Sequence, residues 1–337
     1  MFIKDMPWYT DIEEHKRFME HLAPIVLFTY NRLDHTRKTV KALQRNVYAK
    51  ESVLYIYSDA PKTESAAKTV QAVRDYLRTI NGFREVRIIL REENWGLARN
   101  IMDGVTQIVN QYGKIIVLED DIVTSKYFLK YMNDALEYYK NEKNVMMIHG
   151  HNYDIVQSDH LEETFFVESG GCWGWATWAN AWKYFDRNPK ELLGKTTKEQ
   201  KKRINFDGAV SDMWKQVEMN ADGRLHTWAV FWHASIVLQQ GLALFPRKTL
   251  VRNVGFDGSG ENCGTSDPYA IEESLDIEIE YFPSQIIESV LAREQMKKRF
   301  MQRRPTGVKS MIQKLCAFLR NTNVVKNSSE TSYKQTN

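Results

Sequence analysis

Three consecutive carboxylates, Glu119, Asp120 and Asp121, follow directly on the apolar run Ile115-Ile116-Val117-Leu118. A run of that length and composition reads as a buried strand, which delivers the acids to the polar edge of a sheet. Adjacent negative charges repel one another, so the fold has to supply a counter-charge. A divalent cation held by oxygen ligands, Mg²⁺ or Mn²⁺, is the simplest one, and it would also carry a diphosphate. The plainer alternative is a strand that runs out into an acidic, solvated turn. Five further polar residues have comparable placements: Asn31, Arg32, Asp59, Asn94 and Arg99 each lie at or just beyond the end of another apolar run.

The elements that must position them repeat a pattern. Pro24 to Tyr30 reads as a first strand, closed by Asn31-Arg32, with a helical pattern through Val40 and Leu43. Val53 to Tyr57 reads as a second, ending in Ser58-Asp59-Ala60-Pro61, with a helix from about Ala66 to Ile80. Val86 to Leu90 is a third, followed by a helix from Leu97 to Tyr112, and Lys114 to Leu118 is the fourth. Strands alternating with helices predict a mostly parallel α/β sheet whose ligands bind outside the carboxyl ends of its strands. No GxGxxG follows the first strand and no GxxxxGK[ST] occurs, so a nucleotide has to be held by side chains and a metal.

Beyond the acids, Ser125 can cap a helix to Tyr139, and Asn144 to His149 and Phe165 to Glu168 read as strands. The next stretch, Ser169-Gly170-Gly171-Cys172-Trp173-Gly174-Trp175-Ala176-Thr177-Trp178, reads as a glycine loop studded with indoles. Any one of these tryptophans is core by default, but glycines beside indoles also suit a flat apolar platform for a sugar ring. Residues 186–206 are polar and Lys-rich, as a surface excursion would be. Helical patterns cover Val210 to Met219 and Trp228 to Gln239, and strands Leu242 to Phe245 and Thr249 to Val254. The loop Gly255 to Gly260 is a lid candidate. A helix is expected from Ile286 to about Arg303, then, after Pro305, a short basic amphipathic segment to Arg320 and a polar tail, 321–337, expected to be disordered.

The chain of 337 residues, 43% hydrophobic and 26% charged, has an ordinary soluble composition. Three widely spaced cysteines suggest no disulfide framework, the first residues lack a signal-peptide pattern, and no window spans a membrane, which together point to the cytoplasm. The formal net charge of +3 is uneven: residues 293–320 carry +8, so the remainder is −5. Basic character confined to one segment argues against nucleic acid and for a surface-seeking C-terminal stretch at the inner membrane face.

Taken together, Phe28-Thr29-Tyr30-Asn31-Arg32, Asn94 to Asn100, Val117 to Asp121, the Gly174-Trp175 loop and Asn253 to Gly258 resemble a nucleotide-sugar-dependent glycosyltransferase of the GT-A fold. The chain is similar to bacterial family 2-type sugar transferases and, more distantly, to N-acetylglucosaminyltransferase I. The resemblance covers roughly residues 24–265. It implies a GT-A domain over 24–285, with a nucleotide half (24–123) and an acceptor half (124–285); by their own patterns residues 1–23 are a helical lead-in and 286–320 a basic helical extension. By resemblance Asp121 is the direct metal ligand, and Glu119 and Asp120 face the ribose and nucleotide. Thr29, Asn31, Arg32, Asp59, Asn94 and Arg99 likewise belong to the nucleotide site, and Trp173, Gly174, Trp175 and Asp257 to the sugar or acceptor. The implied donor is a nucleoside-diphosphate sugar, UDP favoured, and the acceptor a glycan or lipid-linked oligosaccharide of a surface polysaccharide.

One departure stands out. Many relatives carry Trp-Asp where this chain has Trp228-Ala229, and that Asp is the base expected of an inverting transfer. If this segment is helical, His226 and His233 lie three before and four after Ala229 on one face. Asp212 and Asp257 are further candidates. Two other readings keep the α/β architecture: a sugar-nucleotide-binding protein without transferase activity, and a nucleotidyltransferase, which would normally carry a glycine-rich basic loop after the first strand.

Overall fold

Four strands, β1 (Ile25–Thr29), β2 (Val53–Ser58), β3 (Glu85–Leu90) and β4 (Lys114–Glu119), form the nucleotide side of the sheet. Ile25 to Phe28 in β1 and Ile115 to Leu118 in β4 are fully or almost fully buried, as parallel strands covered on both faces must be. β1 pairs in parallel with β2 and β4, and β2 in parallel with β3. The helices Leu33–Gln44, Ala67–Leu77 and Gly96–Tyr112 make the returns between them. All the carboxyl ends therefore open on one side.

The computed structural model describes residues 1–302 apart from Asp154, Val156, Gln157 and 261–275. Met1–Arg299 form one unit, and a second begins at Phe300. Within the described residues the remaining strands are β5 (Ile122–Thr124), β6 (Val145–His149), β7 (Thr164–Val167), β8 (Trp175–Trp178), β9 (Leu242–Pro246) and β10 (Val251–Asn253). The main sheet has the order β3-β2-β1-β4-β8-β6-β9-β7, and β5 pairs with β10 in a small antiparallel sheet.

Two parts of the second half differ from expectation. The Trp-rich stretch after Gly174 is not a loop: it is β8, antiparallel to both β4 and β6 in the middle of the sheet. Indoles and glycines masked its strand character, since buried packing rather than alternation fixes it. Residues 186–206 are not a bare surface excursion either. Helices Pro189–Lys195 and Lys198–Ile204 send Leu192 and Ile204 into a satellite core with Trp214 and Val217. The helix Ala229–Leu238 packs against that core, and Val230 to Val237 are all buried.

The helix that opens at Val290 is fastened by ion pairs between side chains. Arg293 contacts Asp207 at 3.2 Å and Glu288 at 3.1 Å, and Arg203 pairs with both Glu168 and Glu288. The amphipathic segment and the tail lie outside the described residues. No helix among the described residues is long and apolar enough to cross a membrane.

Candidate active site

The carboxyl ends of β1, β2 and β4 surround one cleft of about 890 Å³, its open mouth included. Thr29, Asn31, Arg32, Asp59, Asn94, Glu119, Asp120 and Asp121 all line it. They come from four separate sequence segments, and the parallel register that brings their strand ends level is what gathers them.

Arg32 supplies the counter-charge to the acids. Its Nη2 donates to Asp121 Oδ2 at 2.8 Å and, very closely, to Asp120 Oδ1, and its Nε is 3.4 Å from Asp120 Oδ2. Both aspartates are buried, with 4% of their surface exposed. Burial raises Asp120 to about 6, against the pull of Arg32. Part of Glu119 stays accessible, but burial of its carboxyl, then the charges of Asp121 and Asp120, raise it to about 8. The Glu119 side chain lines the cleft without a hydrogen bond among the described residues. Burial works against the charge on Arg32, yet Asp120 and Asp121 outweigh it and hold the guanidinium firmly protonated.

The donor set fits a hard cation. No cage of three or more metal-ligating side chains occurs among the described residues. Mg²⁺ and Mn²⁺ do not need one, because one or two carboxylates and the substrate's phosphates suffice. Asp120 and Asp121 already aim an oxygen each at one position, the one Nη2 takes. The loop after β10 closes against them. Val254 N–H donates to Asp121 O at 2.9 Å, and Gly255 lies so close that a Cβ there would overlap Asp121 Oδ2 and stand 3.1 Å from Arg32 Nη1.

Asp59 is less a free ligand than a staple. Oδ1 accepts from Trp95 N–H and Ala60 N–H, each at 2.9 Å, and Oδ2 accepts from Gly96 N–H at 2.9 Å and Asn94 Nδ2 at 3.1 Å. These bonds fix the turn into the helix Gly96–Tyr112, whose first residues, Gly96, Leu97 and Asn100, also line the cleft. Arg99 is not gathered there. It points away, exposed, with its guanidinium 3.9 Å from the centre of the Trp95 ring and 3.6 Å from Glu93. Arg91 lies on the same indole at 3.7 Å and is paired with Asp103 at 2.5 Å.

The expected bases do not reach the cleft. His233 is buried: Nδ1 accepts from Gly170 N–H at 3.0 Å and Nε2 donates to Ile204 O at 2.8 Å. Burial lowers it to about 4, so it is a neutral structural histidine. The helix starts only at Ala229, which leaves His226 exposed in the preceding loop, off any shared helical face. Asp212 is exposed ahead of the helix Met213–Ala221. Asp257 comes nearer, since Ser259 and Gly260 of its loop line the cleft. Its Oδ2 is 3.1 Å from His35 Nε2, and Oδ1 accepts from Ser259 Oγ at 2.6 Å and Ser259 N–H at 3.0 Å. The Ser259 bonds lower it to about 2.

The sugar platform also changes. Trp175 is completely buried and packs on Trp228, Trp182 and Trp232 with ring centres 5.5, 5.7 and 6.4 Å away, so it is core. Gly174 is structural: its φ is +63°, and a Cβ would press on Val251 and Phe128. Trp173 alone is half-buried, edge-on to His151 at 4.6 Å and to Phe256 at 5.7 Å. The sequence reading missed Tyr30, Tyr57, Lys62 and Asn100, which also line the cleft. Tyr30 and Tyr57 sit at strand ends where that rule could have found them. Nothing local marks Lys62, whereas Asn100 closes the Asn94 to Asn100 stretch of the resemblance and was given no role there.

A mixed α/β sheet with a cleft at the carboxyl ends of its strands fits a sugar transferase domain of the GT-A fold. The chain belongs to glycosyl transferase family 2, whose model matches residues 25–211, more than half of its length. No curated protein matches it. Among solved structures it is similar to S. aureus TarS, at 17% identity over 49% of this chain and 30% of that one, with a TM-score of 0.34. It is also similar to the mannosyltransferase PcManGT from Pyrobaculum calidifontis in complex with GDP-Man and Mn²⁺, at 10% identity over 67% and 74% of the two chains, TM-score 0.35. Mouse xyloside xylosyltransferase 1 in its apo form is similar at 10% identity over 65% and 82%, TM-score 0.33. The chain spans less than a third of the TarS chain and 47% of TarS 1-349.

Proposed function

We propose that this domain moves a sugar from a nucleoside-diphosphate donor to a hydroxyl of a glycan acceptor with inversion, using Mg²⁺ or Mn²⁺. The observation that carries the reading is the convergence of Asp120, Asp121 and Arg32 in one cleft with Thr29, Asn31, Asp59 and Asn94. Asp121, with Asp120, would hold the cation, which when bound stabilises the charge on the departing diphosphate. Arg32 offers that diphosphate a planar set of donors. The stapled turn at Asp59 fixes the wall formed by Gly96 and Leu97.

UDP is the favoured nucleotide, and a lipid-linked acceptor in surface polysaccharide synthesis at the inner membrane face the favoured context. The basic 293–320 stretch supports the latter through its charge. Asp121→Ala should remove Mn²⁺-dependent UDP or GDP binding, measured by calorimetry. Undiminished binding in excess Mn²⁺ counts decisively against the site.

A second reading is favoured by the base. Ala229 replaces the expected acid, His226, His233 and Asp212 lie away from the cleft, and Asp257 is held too acidic for an efficient proton acceptor near neutrality. A protein that binds nucleotide sugars without transferring them fits those facts. Nucleoside diphosphate release from a panel of donors, with Mn²⁺ and acceptor glycans present, separates the two readings.

A further inference from the structure

The position between Asp120 and Asp121 where a cation would sit is held by Arg32. Its Nη2 is held by one oxygen each from Asp120 and Asp121, and only 15% of the side chain is exposed. Asp120 and Asp121 each give that position one oxygen, so a cation there and the guanidinium exclude one another. Nor is there room on the other side, where Gly255 packs against Asp121 and Arg32 Nη1. That Nη1 is buried and has no hydrogen-bond partner among the described residues. The guanidinium is therefore strongly paired at one end and unsatisfied at the other, and an incoming anion can satisfy what the carboxylates do not.

We infer that Arg32 competes with the divalent cation for Asp120 and Asp121, so that metal binds well only when a nucleoside diphosphate draws the guanidinium away. The inference rests on the metal-dependent reading above. Its logic is charge balance: a divalent cation and a diphosphate enter together, the cation replacing Arg32 at the aspartates and Arg32 passing to the phosphate oxygens. Metal and nucleotide are then coupled, each raising the other's affinity by the same factor. The loop at Gly255 and the turn at Arg32, which precedes the helix Leu33–Gln44, set how far the guanidinium can move.

The test is Mn²⁺ affinity, read from the free-ion electron paramagnetic resonance signal, for protein alone and with UDP or GDP. Wild type should bind Mn²⁺ at least tenfold more weakly alone than with nucleoside diphosphate. Arg32→Gln should raise the nucleotide-free affinity tenfold or more and narrow that gap. Arg32→Lys, whose single ammonium replaces the guanidinium fork, should fall between the two and decides the matter if the Gln variant does not fold. Nucleotide-free Mn²⁺ affinity that is unchanged or weaker in the folded variants overturns the competition while leaving the metal site standing, provided wild type still binds Mn²⁺ with nucleotide. Wild type that takes up no Mn²⁺ under either condition overturns both.

Discussion

At the scale of single residues, the site depends on how closely backbone can approach a carboxylate. Gly255 has no room for a Cβ beside Asp121 Oδ2. Gly255→Ala should therefore push the loop off the acids and weaken Mn²⁺-dependent nucleotide binding by about tenfold, roughly 1.4 kcal/mol. Calorimetry with UDP and Mn²⁺ checks this, and unaltered affinity would show that the loop does not shape the site. Histidine tells a different story. His149 is buried with its face on Phe245, Nδ1 accepts from His151 N–H at 3.1 Å, and burial lowers it to about 3. Unfolded, it titrates near 6.5. Between those values the unfolded chain binds the extra proton, so stability falls as pH drops through 6.5 towards 3. Each pH unit costs up to about 1.4 kcal/mol there. Thermal melts should show His149→Asn losing less stability than wild type between pH 6.5 and 4, and parallel losses would rule the assignment out.

At the scale of elements, the tryptophans separate structure from chemistry. β8 lies between β4 and β6, so Trp175 holds the centre of the sheet. It packs on Trp228 and Trp232, which lead into and sit on the helix Ala229–Leu238, and on Trp182. Trp175→Ala should cost about 3–5 kcal/mol, because a cavity of indole size cannot collapse in a close-packed core. Urea unfolding measures this. A loss under about 1 kcal/mol would return Trp175 to the role of a surface platform. Asp59 is an element-level residue too, since three of its four accepted bonds join the end of β2 to the start of the helix Gly96–Tyr112.

At the scale of the whole molecule, the charge is divided. Residues 293–320 hold +8 while the rest carries −5. Part of that basic charge is spent inside the fold, as Arg293 and Lys297 pair with Asp207, Glu288 and Glu294. The rest of the segment's basic charge comes chiefly from positions 303–320. Full-length protein should sediment with vesicles containing anionic lipid, and a chain lacking residues 305–337 should stay in the supernatant at the same salt. Equal sedimentation of the two would remove the membrane role from this segment. Added salt should release the full chain, because exposed charges are screened within about 10 Å at 0.1 M.

The sequence by itself determined the strand ends. Apolar runs closed by Asn31-Arg32, Asp59 and Glu119 to Asp121 read as buried strands with polar tips, and a parallel sheet brings such tips to one edge. Burial and period are local signals, so this much of the fold and of the cleft was legible. Only the tertiary structure decided which polar groups spend their bonds on the fold. His233 faces Gly170 and Ile204, Asp59 is used up by Trp95 and Gly96, and Arg99 turns to Trp95. The partners of His233 and Asp59 are set by chain packing, for His233 by residues 29 and 63 positions away, while Arg99 meets Trp95 across one turn of its own helix. The same holds for Arg32, 88 and 89 positions from the carboxylates that hold it, because hydrogen-bond geometry over such separations exists only once the chain has packed.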